Sequence, residues 1–243
     1  MSDLAAKDFH VASCQATLFT PEEAVSAVKL IKGLLPSWVS RFDQEPMVLP
    51  FGGEVPREIP RLILQSKDGA RRCEIASERI NLLWRKVSPD APEPTLAEFY
   101  GDASLQLVEY QQFLGARVGR IAAVINRYAE HPEPARFLTR HFCDRRWDDA
   151  PLNRPESLEL HAHKQFALGG RFIVNSWVRN RTGTVSLSGG SSAVVMVEQD
   201  LNTLHEEVPS RSYSDAEIRA FFDEAAREFE VIMRLYYPAE RAT

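Results

Sequence analysis

The feature that most constrains the fold is a run of three extended segments joined by two short turns. The run, from Ile59 to Val87, reads IPRLILQSKDGARRCEIASERINLLWRKV. Asp68-Gly69 predicts a tight hairpin turn, because glycine adopts positive φ without a steric penalty. A second reversal near Ser77 leads into the third segment. The sequence therefore predicts a three-stranded antiparallel meander.

Capping boxes predict the starts of three helices. In this motif a Ser or Thr side chain and a Glu three residues later satisfy each other's backbone N–H groups. The motif occurs at Thr20, Thr95 and Ser214. The last of these helices reaches Tyr237 and carries apolar residues at helical spacing. A shorter helix is predicted in HPEPARFLTRHF, where Pro134 stands in the first turn.

Further extended runs lie outside the meander, and they are rich in β-branched and aromatic residues. A first strand covers Phe9 to Phe19, and RVGRIAAVINRY favours another over Arg117 to Tyr128. Three more are predicted at 157–168, 171–181 and 193–204. Gly169-Gly170 joins the first two of these as a hairpin. The glycine- and serine-rich segment TGTVSLSGGSS predicts a long flexible loop between the last two.

The resulting order is β-α-βββ-α-β, then α-βββ-α. Helices follow groups of strands instead of alternating with single ones, which favours an α+β fold with helices packed on one face of a largely antiparallel sheet. A chain of 243 residues suits a single globular domain over 1–243. A subdivision into 8–130 and 131–238 is the alternative, since the two halves look alike and a diverged duplication would explain it.

The composition narrows the class of protein. A net charge of −5 provides no general attraction to nucleic acid or to an anionic membrane. The beginning of the chain shows no secretion signal, and no apolar run is long enough to cross a bilayer. Three widely spaced cysteines exclude a disulfide framework and fit a reducing compartment. We therefore expect a cytoplasmic protein that does not bind membranes.

The stretch LELHAHKQF suggests a metal site as one hypothesis. Alternation along a strand places His161 and His163 on one side. With Glu198 or Asp200 from a neighbouring strand, two imidazoles could complete a facial metal triad. The competing interpretation, which we favour, is a solvated polar side of a sheet that is covered on its other side.

Arginines near a tryptophan suggest nucleic-acid binding as a second hypothesis. Such a mixture can stack on bases or grip phosphate groups. The candidates are Arg145, Arg146, Arg171, Trp177, Arg179 and Arg181. Solvated or cross-strand arginines on a negatively charged protein are the interpretation that we prefer.

The C-terminal helix suggests a surface for a protein partner. Its candidate contact residues are Phe222, Met233, Tyr236 and Tyr237. They belong to an apolar arc that is wider than one stripe against a sheet needs, and an exposed apolar area of this kind usually marks an interaction site. The alternative is that the wide stripe lies between two layers of the same fold.

Three segments resemble a sporadically distributed, uncharacterised bacterial protein family of about this length. The meander is similar to that family's hairpin, with an L-x-S-x-D-G turn and a strand that ends in N-x-x-W, here Asn81 to Trp84. Arg120, Asn126 and Arg127 match a family strand with the pattern R-x-x-x-x-x-N-R, and an amphipathic helix closes the chain. The resemblance implies no catalytic residues. It implies an accessory bacterial locus, such as phage defence or a toxin–antitoxin pair.

No local motif assembles a nucleophile, a base and an orienting acid, and no phosphate loop or dinucleotide fingerprint is present. We therefore expect a non-enzymatic binding or regulatory protein without a cofactor, acting through a protein partner or a second copy of itself. A metal-dependent enzyme centred on His161 and His163 and a nucleic-acid binder centred on Trp177 are the alternatives.

Overall fold

A computed structural model describes residues 4–21, 26–49, 56–143, 155–187 and 190–239. These residues form nine strands, five α-helices and two short 3-10 turns. The strands are β1 His10–Phe19, β2 Met47–Val48, β3 Leu62–Gln65, β4 Arg71–Ile75, β5 Arg79–Arg85, β6 Arg120–Glu130, β7 Glu159–Leu168, β8 Phe172–Leu187 and β9 Gly190–Thr203. The helices are α1 Ala27–Gly33, α2 Leu35–Trp38, α3 Leu96–Leu114, α4 Pro134–Phe142 and α5 Asp215–Tyr236. The 3-10 turns are Ala6–Asp8 and His205–Glu207.

All nine strands join one antiparallel sheet in the order β2-β3-β4-β5-β1-β6-β9-β8-β7. This confirms the predicted α+β fold with a largely antiparallel sheet. Apart from the edge strand β2, the order is symmetric about the central β1–β6 pair, since β5, β4 and β3 extend from β1 as β9, β8 and β7 extend from β6. Each half of the chain thus follows the same path.

The core lies between the sheet and the two long helices, α3 and α5. Tyr100 of α3 stacks on Phe222 of α5, with ring centroids 5.8 Å apart, and its hydroxyl donates to the carbonyl of Val124 in β6 at 2.9 Å. The buried guanidinium of Arg127 bridges Gln199 of β9 and Glu230 of α5. These contacts hold both helices against the same side of the sheet.

Local signals in the sequence correspond to the structure in several places. Gly69 has φ of 73° in the β3–β4 turn, a four-residue hairpin loop in which its N–H donates to the carbonyl of Ser66. Thr95 and Ser214 form the predicted capping boxes of α3 and α5. The capping box proposed at Thr20 depends on Glu23, which lies outside the described residues.

The prediction of a long loop between 182 and 192 is wrong. β8 continues to Leu187 and β9 begins at Gly190, and these two residues are the last pair of a continuous antiparallel ladder. Glycine and serine are weak strand formers, but pairing between two strands whose register is already set offsets that weakness. Residues 188 and 189 lie outside the described part of the chain.

Candidate binding face of the sheet

Side chains alternate across each strand, so the sheet has one side against the helices and another that no described helix covers. We call this second side the open face. In its central and C-terminal part it carries Ser13, Gln15, Thr17, Asn81, Arg120, Ala122, Val124, Asn126, Glu159, His161, His163, Gln165, Asn175, Trp177, Arg179, Arg181, Glu198, Asp200 and Asn202. Most of these side chains are polar, as expected where one side of an antiparallel sheet lacks a helical layer.

Two rows of side chains cross the open face from β1 to β7, perpendicular to the strands. The pairing registers of β1, β6, β9, β8 and β7 align one residue of each strand with its neighbour. The first row is Gln15, Val124, Asp200, Trp177 and His163. The second row is Ser13, Asn126, Glu198, Arg179 and His161.

An aromatic stack stands at the β7 end of the first row. The rings of Trp177 and His163 lie with centroids 4.2 Å apart and planes 18° from parallel. Arg179 extends its guanidinium over the Trp177 ring at 5.4 Å. Nε2 of His163 lies 3.1 Å from Oδ1 of Asn175, which fixes the orientation of the imidazole. The result is an ordered aromatic platform at the surface.

Carboxylates in the middle of the open face are matched by arginines and amides. Glu198 forms an ion pair with Arg179 across the β8–β9 ladder. Asp200 accepts from Nδ2 of Asn202 at 2.9 Å, and burial raises the pKa of its carboxyl group above the usual value. Arg120 donates to Oδ1 of Asn202 at 2.7 Å, and burial lowers its own pKa. The charges here are therefore largely compensated within the protein.

Amide and hydroxyl groups form the part of the open face around β1. The hydroxyl of Thr17 donates to Oδ1 of Asn81 at 2.9 Å, and Nε2 of Gln15 donates to the Thr17 oxygen at 3.0 Å. Nδ2 of Asn126 donates to Ser13 at 3.2 Å. These residues were not among the candidates selected from the sequence. Polar residues at every second position of β1 were the signal that could have found them.

The four candidate metal ligands all lie on the open face, but they belong to two strands that are not neighbours in the sheet. His161 and His163 lie on the same side of β7, as predicted, whereas Glu198 and Asp200 lie on β9, with β8 between them. At about 4.8 Å between strands, the β7 and β9 residues of one row are separated by roughly 10 Å. Among the described residues, no group of three or more His, Cys, Asp and Glu side chains is placed to hold a metal ion.

The candidate nucleic-acid residues are only partly brought together. Trp177, Arg179 and Arg181 lie on the open face, on β8. Arg171 belongs to the β7–β8 turn, and its charge acts on Glu217 at the start of α5, on the helix side. Arg145 and Arg146 lie outside the described residues.

Three of the four candidate partner residues on the C-terminal helix are core residues. Phe222 and Tyr237 are 0% exposed and Met233 is 1% exposed. The hydroxyl of Tyr237 donates to Oδ1 of Asn180 in β8 at 2.7 Å, and burial raises its pKa. Only Tyr236 is half-exposed, against Phe142. The wide apolar stripe therefore lies between α5, α4 and the sheet, which was the stated alternative.

Neither protein-family models nor curated proteins provide a match to this chain. None of the helices in the described residues is both long and apolar enough to cross a membrane. The interpretation of function therefore depends on the geometry of the chain itself.

Proposed function

We propose that this protein is a non-enzymatic binding protein and that a protein partner docks on the open face. The observation that carries the proposal is the pair of rows, polar or aromatic except at Val124, that crosses β1, β6, β9, β8 and β7. When one side of an antiparallel sheet is covered by helices, its other side contacts either water or a partner.

The chemistry of the open face favours protein over other partners. Trp and Arg are the side chains that most often dominate protein–protein binding energy, and here Arg179 packs over Trp177. The half-buried Ser13, Gln15, Asn126 and Asn175 and the exposed Gln165 around them supply hydrogen-bonding groups of both kinds, whereas Thr17, Asn81 and Asn202 are buried. Aromatic residues and arginine are also enriched in the buried parts of non-obligate interfaces, where polar residues form the rim.

The extent of the open face also suits a protein partner. The five strands β1, β6, β9, β8 and β7, spaced by about 4.8 Å, span roughly 24 Å, and the ten or more residues of each strand cover about 33 Å. The product, roughly 800 Å², is close to the area that each partner contributes to a standard protein–protein interface.

Nucleic acid is the weaker candidate for the same surface. Phosphate binding needs cationic groups that are not already neutralised. On this face Arg179 is paired with Glu198, and Arg120 is bound to Asn202 and lies near Asp200. Among the candidate nucleic-acid-binding residues on this face, Arg181 is the other cation. A cytoplasmic location and a bacterial accessory locus are further parts of the proposal. The cysteine pattern supports the first, and the family resemblance supports the second.

Site-specific photocrosslinking in the native host tests the proposal. A photoreactive residue at position 181 reports on the open face, and one at Leu105, an exposed position of α3, is the matched control on the helix side. We expect a defined protein adduct from position 181 that is lost when Trp177 is changed to Ala. An adduct from position 105 alone, or adducts with nucleic acid that disappear at high salt, would contradict the proposal.

A further inference from the structure

The strand β7 stands at one end of the sheet, and its outer edge is long and regular. In the part of the chain that the structure describes, β7 pairs with β8 alone, over ten consecutive residues without a bulge. The strand contains no proline. At the opposite end of the sheet, β2 has only two residues. Proteins often protect a sheet edge by a short strand, a bulge or a proline, because unpaired N–H and C=O groups attract another strand. β7 has none of these three features.

The orientation of the β7 backbone identifies the groups at this outer edge. The N–H of Thr182 in β8 donates to the carbonyl of Leu158 at 3.0 Å. Backbone groups of successive residues point to opposite sides of a strand, so the even-numbered residues of β7 bond to β8. The N–H and C=O groups of His161, His163 and Gln165 therefore point away from the sheet. Among the described residues, none forms a hydrogen bond with these groups.

The two sides of β7 differ in chemistry. On the helix side, Leu160, Ala162 and Phe166 are half-buried and Leu168 belongs to the core. On the open face, the odd-numbered side chains from 159 to 165 are polar and exposed. A strand that pairs with the outer edge has to present apolar residues on the first side and polar residues on the second. β7 itself has this pattern, so a second copy of the strand is complementary to it.

We propose that two copies of this chain pair through β7, antiparallel to each other, about a two-fold axis at His163. Such an axis keeps each side of the sheet continuous, so odd-numbered residues of one copy face odd-numbered residues of the other. An axis at His163 pairs residues 159–167 with their copies. It joins the outer N–H and C=O groups of both strands in about six main-chain hydrogen bonds.

The side chains on the helix side favour this register over its neighbours. The axis at His163 places Leu160 opposite Phe166 of the second copy, and Lys164 opposite Ala162. Each of these pairs occurs twice. An axis at Lys164 gives an overlap of equal length, but the two Lys164 ammonium groups then face each other, which is destabilising. An axis at any other residue leaves more of β7 unpaired. Charge and length therefore both select His163.

The pairing joins the two open faces into one surface. The row that ends at His163 continues across the axis into the same row of the second copy, and the two stacks of His163 on Trp177 come to lie on either side of the axis. The sheet thereby extends through both copies. This pairing uses main-chain groups at the edge and does not depend on a partner at the open face, so each of the two proposals can fail without the other.

Sedimentation velocity of the purified full-length protein over a range of concentrations tests the pairing. We expect an equilibrium between monomer and dimer. Ala162→Lys places an ammonium group opposite Lys164 at two symmetric positions and should raise the dissociation constant about tenfold. Ala162→Glu places a carboxylate there and should lower the constant. Leu105→Lys, at an exposed position of α3, is the matched control and should leave it unchanged. Circular dichroism establishes that each variant is folded.

Cysteine crosslinking locates the axis. Two of the native cysteines are buried, and the third is removed by Cys143→Ser. In that background a short bismaleimide should link two chains that carry His163→Cys, because this residue faces its own copy. Chains that carry Glu159→Cys should not be linked, since position 159 lies opposite position 167, roughly 26 Å along the strand from its own copy.

The proposal fails if the wild-type protein sediments as a monomer at every concentration, or if folded Ala162→Lys and Ala162→Glu proteins associate as the wild type does. Crosslinking of Glu159→Cys as readily as of His163→Cys would also contradict it, as would association without a two-chain limit. An edge that stays unpaired in the pure protein but takes up an extended segment of another protein would likewise overturn it.

Discussion

The indole of Trp177 and the imidazole of His163 form a cross-strand stack on the open face, with ring centroids 4.2 Å apart. The histidine considered as a metal ligand and the tryptophan considered as a base-stacking residue are thus partners of each other. Either ring can meet a ligand only on the side that the other ring leaves free. The stack therefore acts as one unit in any interaction of this surface.

Stacking between these rings should appear as energetic coupling. In a double-mutant cycle with Trp177→Ala and His163→Ala, urea unfolding should give a coupling energy of about 0.5–1.5 kcal/mol. The matched cycle pairs Trp177→Ala with Gln165→Ala, whose side chain bonds to Asn175 instead. That cycle should be additive to within about 0.5 kcal/mol. Equal coupling in both cycles would show that the stack does not form in solution.

Gly69→Val should destabilise the protein far more than Gly190→Val. Gly69 has φ of 73°, where a β-branched residue is strained by about 1–3 kcal/mol. Gly190 begins β9 without a positive φ, and a Cβ atom there would meet nothing within 4 Å. We expect thermal unfolding to show a clear loss for Gly69→Val and a change of less than about 0.5 kcal/mol for Gly190→Val. The reverse ranking would argue against the β3–β4 turn.

Tyr237→Phe should destabilise the protein by about 1–3 kcal/mol, because it leaves the buried amide of Asn180 without its donor. The adjacent Tyr236→Phe is the matched control, since Tyr236 is half-exposed, and it should change stability by less than about 0.5 kcal/mol. Urea unfolding measures both. Similar values for the two variants would mean that the end of α5 does not dock on β8 as described.

Asp200→Asn should stabilise the protein at neutral pH and not in acid. Burial raises the pKa of Asp200 above 3.8, so the folded state holds the proton more tightly than the unfolded state does. Above the raised pKa the ionised carboxylate therefore destabilises the folded state, and below pH 3.8 that penalty is absent.

Melting temperatures at a series of pH values test this. The variant should melt higher than the wild type at pH 7, and the difference should shrink as the pH falls through the raised pKa. Glu45→Gln, at an exposed position, should melt close to the wild type throughout. A variant that is less stable than the wild type at pH 7 would mean that Arg179 and Arg120 outweigh the burial of the carboxylate.

Features that depend on neighbouring residues were predictable from the sequence. The turn at Gly69 and the capping boxes at Thr95 and Ser214 involve residues only a few positions apart, so their geometry is set locally. The alternation of polar residues in LELHAHKQF placed His161 and His163 on one side of a strand for the same reason. Together these signals were sufficient for the α+β class and for the order of the elements other than β2 and α2.

Local composition gave a wrong prediction where pairing between two strands determined the structure. Glycines and serines between 182 and 192 predicted a loop, but the register of β8 and β9, set in their apolar parts, carries the ladder through to Leu187 and Gly190. The apolar width of α5 left two interpretations open, a partner surface and a stripe between two layers of the fold. Contacts with α3, α4 and the sheet account for Phe222, Met233 and Tyr237, as the second interpretation expects.

By itself the sequence determined the strands, the capped helices, their order and the polarity of each strand's two sides, because these follow from periodicity and from capping within a few residues. Only the tertiary structure decided which strands are neighbours. It placed β8 between His163 and Asp200, paired β1 with β6 at the centre, and brought Arg41 and Arg71 to Asp102 of α3. Such neighbours come from distant parts of the chain, and the burial of the whole core selects them, which no short stretch of sequence can do.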